Sequence, residues 1–108
     1  MSAIADTLNA VADLLEPEGR WTRGCYARTE KGNQIGPLEA NAKCWCVSGA
    51  IQKIEIEGGK RWSAWNVFDA YTRKRGFRHM ADFNDQKSQA EVVRALRDAA
   101  AKATEESA

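Results

Sequence analysis

Residues 41–54, Asn41-Ala42-Lys43-Cys44-Trp45-Cys46-Val47-Ser48-Gly49-Ala50-Ile51-Gln52-Lys53-Ile54, decide the fold. Asn41 is a suitable N-cap, because its side-chain oxygen can accept from an early helix amide. At the helical period Ala42, Trp45, Cys46, Gly49, Ala50 and Ile54 form one stripe, which Cys44, Val47 and Ile51 extend round the cylinder. A helix apolar over so much of its circumference belongs at the centre of a core. Gly49 beside Ala50 predicts a close crossing with another helix. The tail Ile54-Glu55-Ile56-Glu57 alternates and is also compatible with a strand, and Gly58-Gly59 closes the element either way.

Upstream, residues 21–28 read as extended, with Trp21, Arg23, Cys25 and Ala27 on one side. Glu30-Lys31-Gly32-Asn33 has turn chemistry, and residues 34–37 supply a short return strand, which together predict a small hairpin. Before it, Ile4, Leu8, Val11 and Leu15 recur at steps of four, three and four, so residues 3–16 form an amphipathic helix stopped by Pro17 and Gly19.

Downstream, Trp62, Trp65, Phe68 and Tyr71 at three-residue steps predict a helix over residues 61–74, with Gly76 ending it after Arg73-Lys74-Arg75. Residues 77–85 read as irregular or briefly extended. The last helix opens on Ser88-Gln89-Ala90-Glu91, which has capping-box form, and carries Val92, Leu96, Ala99 and Ala103 on its apolar face. Fraying is expected after about Thr104. The expected architecture is a single α+β domain over residues 1–108, mostly helical, with about four helices packed around a small β-hairpin.

Composition narrows the function classes. Hydrophobic residues make up 44% and charged residues 29%, which excludes a wholly disordered chain. Trp is over-used: four, against three Phe and two Tyr. The net charge of +1 supplies no bulk attraction to nucleic acid or an anionic membrane. That near-neutrality is a cancellation. Residues 1–19 carry −4, whereas residues 58–80 carry +5. No run approaches the ~20 apolar residues of a membrane span, and no basic region precedes an apolar run at the start. Three cysteines, Cys25, Cys44 and Cys46, fit reduced thiols in the cytoplasm of a bacterial host cell.

Several segments resemble a small uncharacterised protein family of bacteria, especially actinobacteria, and of their phages, known only as a domain of unknown function. These are Trp21-Thr22-Arg23-Gly24-x-x-Ala27-Arg28, then Cys44-Trp45-Cys46-Val47-x-Gly49-Ala50-Ile51, and Phe83-Asn84-Asp85 followed by Gln89-Ala90-Glu91-Val92-Val93-x-x-Leu96. The second is similar to a Trp-Cys-x-x-Gly-Ala helix of that family and the third to its Trp-Asn-Asp motif, with Phe83 in place of Trp. The resemblance implies a shared fold and a phage or mobile-element setting. It brings no activity and no catalytic residues.

Cys25, Cys44, Cys46 and His79 are four zinc-ligand types, but Cys-x-Cys lacks the usual Cys-x₂₋₄-Cys spacing and a second pair. Buried thiols acting as small apolar groups are the plainer reading, and no metal or cofactor is expected. A Cys–His nucleophile would need His79, the only histidine, to reach a thiol. No Gly-rich phosphate loop or His-x-x-x-His spacing is present, and no catalytic residue is assigned. Asn84-Asp85 reads as turn chemistry ahead of the last helix.

In the +5 segment, aromatic and basic residues interleave. Trp, Tyr and Arg are the residue types that dominate interface hot spots. The first expectation is therefore a non-enzymatic binding or inhibitory protein, phage- or mobile-element-encoded, acting on a host protein with an acidic surface, such as part of a defence system. Trp62, Trp65, Arg73, Arg75 and Arg78 are its expected contacts. The alternative is a nucleic-acid or nucleotide-binding module using Lys60, Arg61, Arg73, Lys74, Arg75 and Arg78. A cysteine-dependent enzyme comes third.

Overall fold

The computed structural model describes residues 2–60 and 62–107. Among these the order is α1 (Ala3–Leu15), β1 (Ala27–Arg28), β2 (Gln34–Ile35), β3 (Cys44–Trp45), α2 (Val47–Glu57), α3 (Ser63–Lys74), α4 (Met80–Gln86) and α5 (Gln89–Ser107). The mostly helical α+β fold is found, with one helix and one strand more than the sequence pattern predicts. No helix among the described residues is long and apolar enough to cross a membrane.

Helices α1 and α5 pack as an antiparallel pair. Ser2 caps α1 through Ala5 N (3.1 Å), and Leu8, Val11 and Leu15 are fully buried, while Ile4 is half-buried. The capping box of α5 forms in both directions: Glu91 N donates to Ser88 Oγ at 3.2 Å and Ser88 N to Glu91 Oε1 at 3.0 Å. Gln89 then serves the neighbouring helix end, donating through Nε2 to the carbonyls of Leu15 and Pro17, which α1 leaves without intrahelical partners. Further along α5, Arg97 donates to Asp13 at 2.7 Å and to Glu16 at 3.1 Å. The helical backbone of α5 continues through Ser107, past Thr104.

The expected hairpin forms, with Ala27 opposite Ile35 and Arg28 opposite Gln34. The helix expected over residues 41–54 is corrected. It begins at Val47, and Cys44–Trp45 instead lies antiparallel along the other edge of β1, with Ala27 opposite Trp45. Pairing with β1 on one side, and on the other the bonds of Trp45 N to Arg20 O at 2.9 Å and of Thr22 N to Trp45 O at 3.0 Å, override the helical period of Cys44 and Trp45. Trp45 still reaches the core, and its Nε1 donates to Pro37 O at 2.9 Å. Cys46, not Asn41, is the N-cap of α2, its Sγ accepting from Gly49 N at 3.3 Å. Residues 54–57 are helical, and Gly58 ends the element.

Gly49 does mark a close approach, though against the residue that leads into β1 rather than against a helix. A Cβ built there would lie 2.1 Å from the Tyr26 carbonyl oxygen. Only glycine lets α2 sit against the end of β1.

Residues 77–85 are also corrected. They include all but the last residue of α4, whose Met80, Phe83 and Asn84 share one buried face at i, i+3, i+4 spacing. Seven residues are too few to show that period in the sequence. Phe83 meets Phe68 and Phe77 edge-to-face, with centroids 6.1 and 5.1 Å apart.

Helix α3 starts without a local cap. Trp62 precedes it with φ of +64°, a region that costs a bulky residue. Buried Glu55, from α2, supplies the cap instead. Its Oε2 accepts from Ala64 N at 2.8 Å and its Oε1 from Trp65 N at 3.1 Å. The positive end of α3 offsets the cost of burying that carboxylate.

Candidate functional site

The segments that carry the sequence resemblance meet at Asn84. Its Oδ1 accepts from Trp21 Nε1 at 2.7 Å and from Val47 N at 2.9 Å, and its Nδ2 donates to Thr22 O at 3.0 Å. One fully buried carboxamide thus ties loop 21–24 to the first turn of α2 and to α4. Asp85 extends the knot, its Oδ1 accepting from Gly24 N at 3.1 Å and from Asn84 Nδ2 at 3.2 Å. Both side chains bond to backbone, but Asn84 does so from within a helix and not as the turn residue expected.

This knot forms one wall of a cleft of about 500 Å³. Gly24, Cys25 and Tyr26 line it from the loop, and Cys46 and Ser48 from the start of α2. Trp65 and Arg73 come from α3, and His79, Met80, Ala81 and Asp85 from α4 and its cap. Several of these side chains are held by others. Trp65 Nε1 donates to Ser48 Oγ at 3.2 Å. Arg73 Nε donates to Asp69 Oδ2 at 2.8 Å, while Asp69 Oδ1 accepts from Met80 N at 3.1 Å, so one buried carboxylate aligns both Arg73 and α4. His79 Nδ1 accepts from Ala81 N at 3.1 Å, which places the proton of the neutral ring on Nε2.

The two thiols of the cleft are held differently. Burial pushes the Cys46 thiol up to about 11, against a smaller lowering by the Gly49 and Ser48 amides it accepts from. Cys25 donates through Sγ to Ala27 O at 3.4 Å. Among the described residues, no three His, Cys, Asp or Glu side chains gather where they could hold a metal ion.

The expected contact residues fall on two faces. Trp62 is exposed (49%) and meets Trp65 edge-on at 5.7 Å, so the two tryptophans divide into an outer and a half-buried member. Trp65 and Arg73 line the cleft together. Arg75 turns to the opposite side of α3, where its guanidinium lies 3.5 Å from the Tyr71 ring centroid and 3.5 Å from Asp98. Desolvation first, and then its hydrogen bond to Asp98 at 2.6 Å, raise the Tyr71 hydroxyl to about 12. Lys74 and Arg78 are exposed, Arg78 directly before His79. Lys60 lies at the other end of α3, roughly 18 Å away at 1.5 Å per residue. Arg61 lies outside the described residues.

Sequence reasoning passed over Tyr26 and Ser48. Tyr26 is exposed (54%) at the cleft margin, and Ser48 is buried beneath Trp65. No periodicity signals either, since Tyr26 leaves an irregular loop and Ser48 lies where α2 was misphased.

A family model described as Family of unknown function (DUF6197) matches residues 1–102. No curated protein and no solved structure matches the chain.

Proposed function

We propose that this chain, which belongs to the DUF6197 family of unknown function, is a non-enzymatic binding protein that engages an acidic protein surface through Trp62, Trp65 and Arg73. The observation that carries this reading is the exposed Trp62, edge-on to Trp65, which lines a cleft of about 500 Å³ together with Arg73. A large exposed aromatic beside a guanidinium is the composition of an interface anchor. The unfavourable backbone at Trp62 adds to it, because such strain concentrates at functional positions.

The division of the cations over two faces favours a protein contact over a nucleic-acid track, which needs one continuous basic face. The raised Cys46 thiol and the bonding of Cys25 Sγ to the Ala27 carbonyl favour binding over nucleophilic chemistry. An inhibitory role toward a host protein, in a phage or mobile-element setting within the bacterial cytoplasm, is supported by small size and by the sequence resemblance.

Affinity capture from bacterial lysate tests the reading. The wild type is expected to enrich one main protein, and Trp62→Ala and Arg73→Glu to lose it while remaining folded. Undiminished enrichment by both variants would overturn the assignment of this face.

A further inference from the structure

We infer that the cleft takes an apolar carboxylate: a carboxylate group joined to a small hydrophobic body, either a free organic acid or the C-terminal carboxylate of a peptide. The inference deepens the binding reading above and shares Arg73 with it. A volume of about 500 Å³ lies within the range of small-ligand sites.

Arg73 is the anion-recognising group. Its Nε is committed to Asp69, which is itself held by Met80 N. The two terminal nitrogens of the guanidinium have no hydrogen-bond partner among the described residues, and Arg73 belongs to the cleft lining. Two parallel donors in one plane match a carboxylate. His79 Nδ1 is taken by Ala81 N and its Nε2 faces Asp82 Oδ2 at 3.9 Å, so this ring adds little to anion recognition. Ser48 Oγ accepts from Trp65 Nε1 and Gln52 Nε2 and so has its own proton to donate.

The first amides of α2 contribute little. Val47 N is bonded to Asn84 and Gly49 N to Cys46, so Arg73 carries the charge recognition. Trp65, Met80 and Cys46 are the apolar members of the same lining. Asp85 is the one carboxylate in the lining. Its Oδ1 is shared by two N–H donors, which blunts its repulsion of a monoanion but leaves it opposed to a dianion such as phosphate.

The test is a titration followed by the Trp65 indole and Ala81 amide NMR signals. Phenylacetate is expected to shift both saturably, phenylacetamide to bind about tenfold or more weakly, and inorganic phosphate not to compete. Arg73→Gln should abolish the acid-over-amide preference, whereas Arg75→Gln should retain it. A peptide ending in Phe-COOH that outbinds its C-terminal amide identifies a peptide source; preference confined to the small acid identifies a free acid. No saturable shift up to ~20 mM acid, where even millimolar affinity would show, overturns the inference. So does equal binding of acid and amide, or a preference unchanged in Arg73→Gln. Trp62 is outside the cleft lining, so Trp62→Ala is expected to lose protein capture and keep phenylacetate binding, which separates failure of one reading from failure of the other.

Discussion

Trp21 Nε1 donates to Asn84 Oδ1 at 2.7 Å, joining the loop before the hairpin to a helix 63 residues further along. The same oxygen accepts from Val47 N, and the same side chain donates to Thr22 O. Asn84→Ala would leave two donors and one acceptor without partners in an almost dry setting. Each unsatisfied buried group costs about 1–3 kcal/mol, partly relieved by relaxation, so a loss of about 3 kcal/mol is expected in urea unfolding. Asn84→Asp keeps the acceptor but loses the donor and sets a second carboxylate beside Asp85, so it should also destabilise. A change below about 0.5 kcal/mol for Asn84→Ala would remove the knot from the account.

Gly49 gives a second measure of how tightly these segments are joined. Its missing Cβ is occupied by the Tyr26 carbonyl oxygen, a backbone atom that cannot swing aside. Gly49→Ala should therefore lower stability by roughly 1–3 kcal/mol, despite the better helix propensity of alanine. Stabilisation on thermal unfolding would show that α2 does not sit against β1 as described.

Trp62 separates backbone cost from side-chain function. Trp62→Ala and Trp62→Gly remove the same indole, but only glycine is at ease at φ +64°. The glycine variant should be the more stable by about 1 kcal/mol. Equal stabilities would remove the strain argument.

Alkaline pH probes Cys46. Its pKa in the fold is about 11, above the ~8.5 of an exposed thiol. The folded state therefore keeps a proton that the unfolded chain gives up. The resulting stability is fully present below pH ~8.5 and is lost as pH rises toward 11. Tyr71, raised to about 12, extends the loss to higher pH. Cys46→Ala should show a shallower decline over pH 9–11 than the wild type, and identical slopes would contradict the burial of this thiol.

The long periodic elements were legible. The apolar stripe of α1 and the capping box of α5 appear where the sequence puts them, because each is set by residues close in the chain. The hairpin turn was legible for the same reason. The start of α2 was not: Cys44 and Trp45 fit a helical stripe, and only the edge of β1, seventeen residues earlier, makes them a strand. α4 escaped because its pattern is seven residues long. Of the expected contact residues, Trp65 and Arg73 line the cleft and Trp62 adjoins Trp65. Arg75 lies against Tyr71 and Asp98 instead, since residues two apart on a helix point about 200° apart. The cleft itself is assembled from loop, strand-end and three helices, and no local pattern announces such a meeting.

The most direct measurement of the central claim compares Arg73→Glu with Arg75→Glu for affinity to the captured partner. The two residues share charge, helix and near-equal sequence position, and differ in the face they occupy. The account predicts a loss of about tenfold or more for Arg73→Glu and little change for Arg75→Glu. Equal losses, or a loss confined to Arg75→Glu, would contradict it.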